Sequence, residues 1–140
     1  MKQYVHKVNY YETDKMGITH HSNYVRWMEE ARIDFLSQIG YSYDRMEKEG
    51  IVSPVLAVDC RYKQSTTFAD EIVIDVCVKA FNGVRLVLGY TMKKAGEETI
   101  VLAGTTEHCF LDEKARPVRM KKEFPELFQM LTHMSEEKCE

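Results

Sequence analysis

The chain has 140 residues, of which 44% are hydrophobic and 29% are charged, and its formal net charge is -3. This length is typical of one domain with a buried core, and the composition is that of a folded globular protein rather than a disordered one. The slightly acidic balance disfavours a surface that follows nucleic-acid phosphates, because such surfaces carry an excess of Lys and Arg. We therefore expect one folded domain without a nucleic-acid partner.

Residues 1–8 carry scattered charges and no apolar segment like that of a signal peptide. Apolar runs elsewhere stay far below the length that crosses a bilayer. Neither CxxC pairs nor zinc-like spacings occur among the four cysteines, which are Cys60, Cys77, Cys109 and Cys139. We expect reduced cysteines, three of them packed in strands as small hydrophobes, in a cytoplasmic protein that does not insert into membranes.

A long helix is predicted near the N-terminus, after a first strand over residues 2–11 and a polar loop. Ser22 and Asn23 are favourable N-cap residues, because their short polar side chains accept hydrogen bonds from free N–H groups. Apolar residues then recur at helical spacing in a broad stripe, and Gly40 is typical of a helix end. The loop therefore brings its polar groups to the positive end of a mostly buried helix, where an anion or a carbonyl oxygen is stabilised.

Four alternating segments further along predict strands, at residues 55–62, 72–80, 84–92 and 99–111. Short glycine-containing connections between the last three predict an antiparallel meander, and Gly104 is interpreted as a bulge or bend. Helical patterns begin at Ser42 and, near the C-terminus, at residue 124. We expect a single domain over residues 1–134, followed by a polar, frayed tail at 135–140.

One long apolar helix together with an antiparallel sheet predicts an α+β fold. The sheet must bury its apolar face, and the helix is apolar over most of its circumference, so we expect the sheet to wrap around the helix. A single sheet layer leaves its strand edges open, and edge-to-edge pairing of two copies would close them.

One stretch reads Tyr11-Glu-Thr-Asp14-Lys-Met-Gly17-Ile-Thr-His-His21-Ser-Asn23-Tyr24 and continues as Arg26-Trp-Met-Glu29-Glu-Ala31-Arg32. It resembles the signature of hot-dog-fold acyl-CoA thioesterases of the 4-hydroxybenzoyl-CoA thioesterase type, which includes the YbgC-like enzymes. The resemblance covers the chain through about residue 131 in strand order and length. It implies the hot-dog fold, in which an antiparallel sheet wraps around a long central helix. It also implies a homodimer with its sites at the subunit interface, and often a dimer of dimers.

The same resemblance implies a set of site residues. It implies a catalytic aspartate at Asp14 and a thioester carbonyl that is polarised by a backbone N–H at about His21. The substrate-binding positions implied by the motif are Gly17, His20, Asn23 and Tyr24.

Three positions depart from the family's pattern. Glu12 stands where the family commonly has Asp, His20 where it has Tyr, and Ser65 where it often has Pro. Since the residue at position 20 would help to line the acyl pocket, these departures bear on substrate choice more than on the reaction.

Thioester hydrolysis needs an activated water or a nucleophile, and a donor for the charge that grows on the carbonyl oxygen. Asp14 could act as a general base, or attack directly to form an anhydride, while N–H groups at the helix start form an oxyanion hole. Gly17 would let the substrate approach the loop backbone closely. The alternatives are local: a loop-ordering role for Asp14, a hydrogen bond at the helix start for His21, and capping or loop ordering for Asn23.

Coenzyme A carries phosphates, so we expect cations near the cleft. The candidates are Arg61, Lys63 and Arg85, and for each of them an ordinary solvated charge is the alternative.

A metal site is a rival interpretation of the loop, with Glu12, Asp14, His20 and His21 as ligands. Adjacent histidines diverge in direction, and the chain has no helical His-x-x-x-His and no strand His-x-His at this place. Nucleophilic serine hydrolysis lacks its Gly-x-Ser-x-Gly motif. We therefore expect no metal and no cofactor beyond the coenzyme A of the substrate.

These patterns together predict an acyl-CoA thioesterase that releases a free acid and coenzyme A. Two alternatives stay open: a hot-dog hydratase or dehydratase, and a non-catalytic dimer that binds acyl-CoA or acyl carrier protein. The sequence leaves the acyl group, the carrier and the choice between dimer and tetramer undetermined.

Overall fold

The computed structural model describes residues 1–137 and 139. The strands are β1 (Tyr4–Lys7), β2 (Ile51–Val52), β3 (Val55–Tyr62), β4 (Glu71–Phe81), β5 (Arg85–Lys94), β6 (Ile100–Cys109) and β7 (Leu111–Asp112). The helices are α1 (Ser22–Gln38), α2 (Tyr43–Glu49), α3 (Met120–Glu123) and α4 (Pro125–Glu136), and a single 3-10 turn spans Tyr10–Glu12. The first strand is shorter than predicted because this turn interrupts it.

Five strands form one antiparallel sheet in the order β1-β4-β5-β6-β3. The predicted meander of the last three long strands, β4 to β6, is confirmed. Strand β3 pairs with β6 at one edge, so the chain crosses the sheet before it enters β4. Alternating apolar and polar residues predict that a segment is a strand, but they do not predict which other strand it pairs with. The ladder of β2 with β7 is only two residues long and has no pattern in the sequence.

Helix α1 packs its apolar side on the sheet and forms the centre of the core. Its buried residues include Trp27, Phe35 and Leu36, which cluster with strand residues such as Ile74 and Leu88. The predicted α+β arrangement of one sheet and one long buried helix is confirmed.

The predicted end of α1 at Gly40 and the predicted start of α2 at Ser42 are both confirmed. Gly40 has a φ of +88°, and its N–H donates to the Ser37 carbonyl at 3.0 Å as α1 ends. Ser42 caps α2, since its side chain accepts from the Arg45 N–H at 3.3 Å.

The apolar face predicted for residues 55–62 is largely exposed. Leu56, Val58 and Tyr62 keep 49%, 44% and 50% of their surface accessible. The reason is the place of β3 at the edge of the sheet, where it has a neighbour on one side only. An edge that carries exposed apolar side chains is a typical site of pairing with another chain.

Of the two interpretations of Gly104, a bulge or a bend, the bulge is wrong, because Gly104 pairs in register with Cys60 and Tyr90. The described register shifts occur at Val55/Ala57, Val78/Ala80 and Met92/Lys93 instead. A Cβ at Gly104 would lie 2.5 Å from the carbonyl oxygen of Asp59 and 3.2 Å from Met28 Cε. Glycine is therefore needed because β3, β6 and α1 approach each other closely there.

The expectation of four reduced cysteines is also wrong, because Cys77 and Cys139 form a disulfide across a sequence separation of 62. Side chains alternate along β4, so Cys77 faces away from the core that holds Val78, and the chain returns to this face after α4. Gly89 leaves room for the bond, since a Cβ there would lie 3.1 Å from the sulfur of Cys77. Cys60 and Cys109 are free thiols.

The tail predicted at 135–140 begins inside α4, which continues through Glu136. Positions 138 and 140 of that tail lie outside the described residues. Among the described helices, none combines the length and the apolar character needed to cross a membrane.

Candidate active site

Asp14 lies at the base of a tight loop closed by a bridge between Thr13 and Thr19. Its N–H donates to the Ile18 carbonyl at 2.9 Å, and its Oδ1 accepts from the Met16 N–H at 2.8 Å. Its Oδ2 makes no hydrogen bond within the described residues. One carboxylate oxygen thus orders the loop while the other stays available.

Gly17 closes this loop with a φ of +77°, a conformation that glycine adopts without steric cost. No atom lies within 4 Å of the place where its Cβ would be, so the backbone there is open to an approaching molecule. The Gly17 carbonyl accepts from the Thr67 hydroxyl at 2.8 Å, which joins the loop to the segment after β3.

Glu12 is buried directly below the loop, with 5% of its surface exposed. Its Oε1 accepts from the Asn9 N–H at 2.8 Å and lies 2.8 Å from Nε2 of His6, while its Oε2 accepts from Trp27 Nε1 at 2.7 Å. Burial raises the pKa of Glu12, but these hydrogen bonds outweigh burial and hold the pKa below its usual value. Sequence reasoning missed this role and treated Glu12 only as a departure from the family's Asp or as a metal ligand.

The start of α1 lacks the predicted cap at Ser22 or Asn23, whereas the loop-ordering alternative for Asn23 is confirmed. The helix begins at Ser22, and the residue before it, His21, makes no side-chain capping bond. Asn23 turns inward and donates through Nδ2 to the Glu12 carbonyl at 2.9 Å, so it orders the loop rather than capping the helix. Nδ1 of His20 accepts from the Ser22 N–H at 3.2 Å and thereby takes the capping role.

The N–H groups at this helix end differ in whether they donate a hydrogen bond. Those of Asn23 and Tyr24 donate to the carbonyls of His20 and His21, at 3.0 and 3.3 Å. The His21 N–H has no acceptor among residues 1–137 and 139. It is the free donor that the positive end of α1 offers.

A cleft of about 310 Å³ opens beside this donor. It is lined by Ile18, Thr19, His21, Tyr24, Tyr62, Lys63, Gln64 and Ser65. One wall is thus the Asp14 loop with the start of α1, and the other is the end of β3. A hydrogen bond of 3.4 Å from the Tyr62 hydroxyl to the His21 carbonyl joins the two walls.

The structure brings some of the predicted site residues together and leaves others apart. His21, Tyr24 and Lys63 line the cleft, whereas Arg61 precedes Tyr62 in β3 and therefore lies on the opposite face of the sheet. There Arg61 pairs with Asp59 at 3.1 Å.

Arg85 is also distant from the cleft. Arg85 is the first residue of β5 and lies opposite Cys109 of β6. The residue before Cys109, His108, pairs with Val55, the first residue of β3. Arg85 therefore lies near the start of β3. The cleft lies at the last residue of that strand. Within one chain, the three predicted cations are therefore not gathered around one site.

A larger, mostly apolar cavity of about 470 Å³ lies at the start of β3, at the opposite end of the strand from the cleft. Its lining residues are Tyr43, Met46, Glu47, Ile51, Val52, Ser53 and Pro54.

The hydroxyl of Tyr43 donates to Glu29 at 3.1 Å and accepts from Nη2 of Arg32 at 3.0 Å. Arg32 also pairs with Glu29, three residues away on α1.

These features define a class of protein. An antiparallel sheet packed on one long helix, with an acidic loop and a free N–H at the helix start, is the arrangement of a hot-dog thioester hydrolase.

Comparison with known proteins gives the family. The model of the thioesterase-like superfamily matches residues 8–130, and the chain belongs to that superfamily. It is 33% identical over 120 residues to a putative acyl-CoA thioesterase, YneP, of Bacillus subtilis, covering 86% of this chain and 87% of the relative. It is 32% identical over 126 residues to a putative esterase of Aquifex aeolicus, covering 90% and 96%.

A solved structure of a DHNA-CoA thioesterase from Staphylococcus aureus superposes with a TM-score of 0.88 at 32% identity, covering 94% of this chain and 89% of that one. The predictions of a hot-dog fold and of a thioester hydrolase are confirmed.

Proposed function

We propose that this protein is an acyl-CoA thioesterase that hydrolyses an acyl-CoA to a free acid and coenzyme A. The observation that carries the proposal is the cleft itself, which is lined by Ile18 and Thr19 of the Asp14 loop and by His21, whose N–H has no acceptor within the described residues. Asp14 is not among the residues that line the cleft, and it lies in the same loop, between Thr13 and Thr19. The names of the relatives support an acyl-CoA substrate, since YneP is a putative acyl-CoA thioesterase. The finer resemblance to the 4-hydroxybenzoyl-CoA thioesterase type stays a prediction.

The proposed reaction uses this chain's own groups. The thioester carbonyl accepts the His21 N–H, and the helix dipole adds to the stabilisation of the developing oxyanion. Oδ2 of Asp14 takes a proton from water as the water oxygen attacks the carbonyl carbon. The C–S bond then breaks, and the proton held by Asp14 passes to the leaving sulfur, which releases the thiol and restores the carboxylate. In the alternative route the Asp14 carboxylate attacks the carbonyl carbon, the C–S bond breaks and the thiolate leaves. Water then hydrolyses the resulting anhydride to the free acid, which restores Asp14 and supplies the proton of the thiol.

Binding of the substrate follows from the same walls. Gly17 gives access to the loop backbone, and Tyr24 lines the helix side of the cleft. His20 and Asn23 are not among its lining residues, and we propose that they act through the loop and the helix start that they order. Lys63 is the cation in the cleft that would meet the coenzyme A phosphates. No metal or other cofactor enters the proposed reaction, so a chelator should leave its rate unchanged.

We further propose that the protein acts as a homodimer in the cytoplasm and pairs two dimers into a tetramer. Support for the dimer comes from β3, an edge strand with exposed Leu56 and Val58. An antiparallel pairing of two copies of β3 about Cys60 sets Asp59 of one copy opposite Arg61 of the other, so the edge complements itself in charge. Acyl carrier protein is the alternative carrier of the acyl group.

The first test is thiol release from short, long and aromatic acyl-CoAs by the wild type and by Asp14→Asn. The amide keeps the shape of the carboxylate but cannot take a proton, so we expect kcat to fall by about 10²–10⁴-fold. Asp44→Asn, an exposed aspartate at the start of α2, is the matched control and should keep full activity.

Full activity of a folded Asp14→Asn protein would refute the mechanism. Absence of thiol release by the wild type, together with tight binding of acyl-CoA, would favour the non-catalytic binding dimer. A hydratase would instead change the acyl group while its thioester stays intact, which mass spectrometry of the products separates.

A further inference from the structure

We propose that Glu12 is a positioning residue of this enzyme. Its carboxylate fastens the Asp14 loop to α1 and thereby sets Asp14 and the His21 N–H relative to each other. The proposal rests on the proposed thioesterase activity for its kinetic consequence, while its structural consequence can be measured without any substrate.

The side chain of Glu12 joins three parts of the chain at one buried point. Oε1 accepts from the N–H and from Nδ2 of Asn9, at 2.8 and 3.2 Å, and lies 2.8 Å from Nε2 of His6 in β1. Oε2 accepts from Nε1 of Trp27 in α1 at 2.7 Å. The carboxylate thus connects β1, the turn before the loop, and the central helix.

The main chain of Glu12 makes the second half of the connection. Its carbonyl oxygen accepts from the His20 N–H at 2.8 Å and from Nδ2 of Asn23 at 2.9 Å. Glu12 directly precedes the Thr13–Thr19 bridge on which the Asp14 loop stands. A shift of Glu12 would therefore move the loop and the residue before His21 together.

A carboxylate is required here, and an amide of the same shape would not serve. Both oxygens of Glu12 accept hydrogen bonds from N–H donors, from Asn9 on one side and from Trp27 on the other. A glutamine has one acceptor oxygen, and its NH₂ would then face one of these donors in a buried site. A buried donor left without an acceptor is destabilising, and the loop can avoid this loss by moving away.

The ring of His6 is held where it can hydrogen-bond to the charged carboxylate of Glu12. Its ring packs against the indole of Trp27, with 4.6 Å between ring centroids and 33° between ring planes. Its Nε2 faces Glu12 and its Nδ1 lies 3.3 Å from Oε2 of Glu30, which is partly exposed. Among the described residues, the polar contact of Glu30 with this cluster is the one to His6, so Glu30 provides a matched carboxylate that does not hold the loop.

The kinetic consequence is a loss of turnover rather than of binding. Misplacement of catalytic groups by about 1 Å can cost about 10²-fold in rate. We expect Glu12→Gln to lower kcat by about that factor and to leave KM within about twofold of the wild type, because the cation and walls of the cleft remain. Glu30→Gln should leave both constants unchanged.

A double-mutant cycle with Trp27→Phe tests the mechanism of the effect. Once the indole donor is removed, the NH₂ group that Glu12→Gln introduces no longer meets another N–H donor, and the amide oxygen can still accept from Asn9. The effect of Glu12→Gln on kcat should therefore be much smaller in the Trp27→Phe background than in the wild type. Equal effects in the two backgrounds would overturn the proposal, as would a change confined to KM.

The chain has a single Trp, so its indole N–H gives one assignable NMR signal. We expect Glu12→Gln to shift this signal and to speed hydrogen exchange at the N–H groups of Met16 and Gly17, while Glu30→Gln changes neither. Unchanged exchange in Glu12→Gln would overturn the proposal. If the wild type releases no thiol from any acyl-CoA, the proposed function fails, yet this measurement still decides whether Glu12 orders the loop.

Discussion

His108 is a fully buried histidine outside the cleft. Its Nε2 is 2.8 Å from the hydroxyl of Thr106, which lies 2.7 Å from the hydroxyl of Tyr90. Its Nδ1 has no hydrogen bond within the described residues. Burial, together with the nearby charge of Arg32, lowers the pKa of His108 to about 4. The ring is therefore neutral in the folded protein at neutral pH.

This pKa predicts acid destabilisation. The unfolded value is 6.5, so between pH 6.5 and about 4 the unfolded chain binds a proton that the folded chain does not. Stability should fall as pH falls through this window, by about 2 kcal/mol between pH 7 and pH 5. Urea unfolding should reveal a flatter pH dependence for His108→Gln, whereas His133→Gln, at an exposed site, should behave like the wild type. Parallel curves for wild type and His108→Gln would contradict the prediction.

At the scale of elements, β3 and its contact with β6 determine the shape of the functional end of the sheet. Tyr62, the last residue of β3, lines the cleft, and the cavity lined by Val52 and Pro54 lies before its first residue. Gly104 in β6 lets the Asp59 carbonyl and Met28 of α1 approach closely. The position of β3 thus depends on a residue without a side chain.

Gly104→Ala should therefore displace β3. The added Cβ would meet the backbone oxygen of Asp59 at 2.5 Å, and a backbone atom of a paired strand cannot turn aside as a flexible side chain can. We expect a loss of about 1–3 kcal/mol in the free energy of unfolding, measured with urea, and lower kcat/KM. Thr105→Ala, on the opposite face of the same strand, is the control. An unchanged free energy of unfolding would show that β3 adapts.

At the scale of the whole molecule, β1 and β3 are the two edges of the sheet, and the apolar side chains of β3 are exposed. The Cys77–Cys139 bond fastens the end of the chain to β4, whereas β3 exposes apolar side chains along an unpaired edge. In the proposed antiparallel dimer, the end of β3 that carries the cleft lies beside the start of the partner's β3. The larger cavity of one copy would then border the cleft of the other.

Charge reversal tests this dimer. Asp59→Arg alone, or Arg61→Asp alone, would set like charges opposite each other at two symmetric places, so we expect dimerisation to weaken by at least about tenfold in sedimentation experiments. A mixture of the two variants should form heterodimers, because each positive edge then faces a negative one. Glu97→Lys, in the turn after β5, should have no effect. If the mixture is as weakly associated as each variant alone, β3 is not the interface.

The sequence alone determined the elements and the identity of the central loop. Period-two alternation, helical spacing and glycine positions are local properties, so the long strands, α1, α2 and the β4–β6 meander were predictable. The Asp14 motif indicated the family before any coordinates. Very short elements such as β2 and β7 had no pattern to detect.

Only the tertiary structure decided which elements became neighbours. The choice of β6 as the partner of β3, the close approach at Gly104 and the bond between Cys77 and Cys139 all join residues far apart in the chain. The same holds for Glu12, whose buried charge is stabilised by His6 and Trp27 from other elements. A local pattern reflects which residues of a segment face solvent and which face the core. Pairings between distant residues depend instead on how the whole chain packs, so no single segment predicts them.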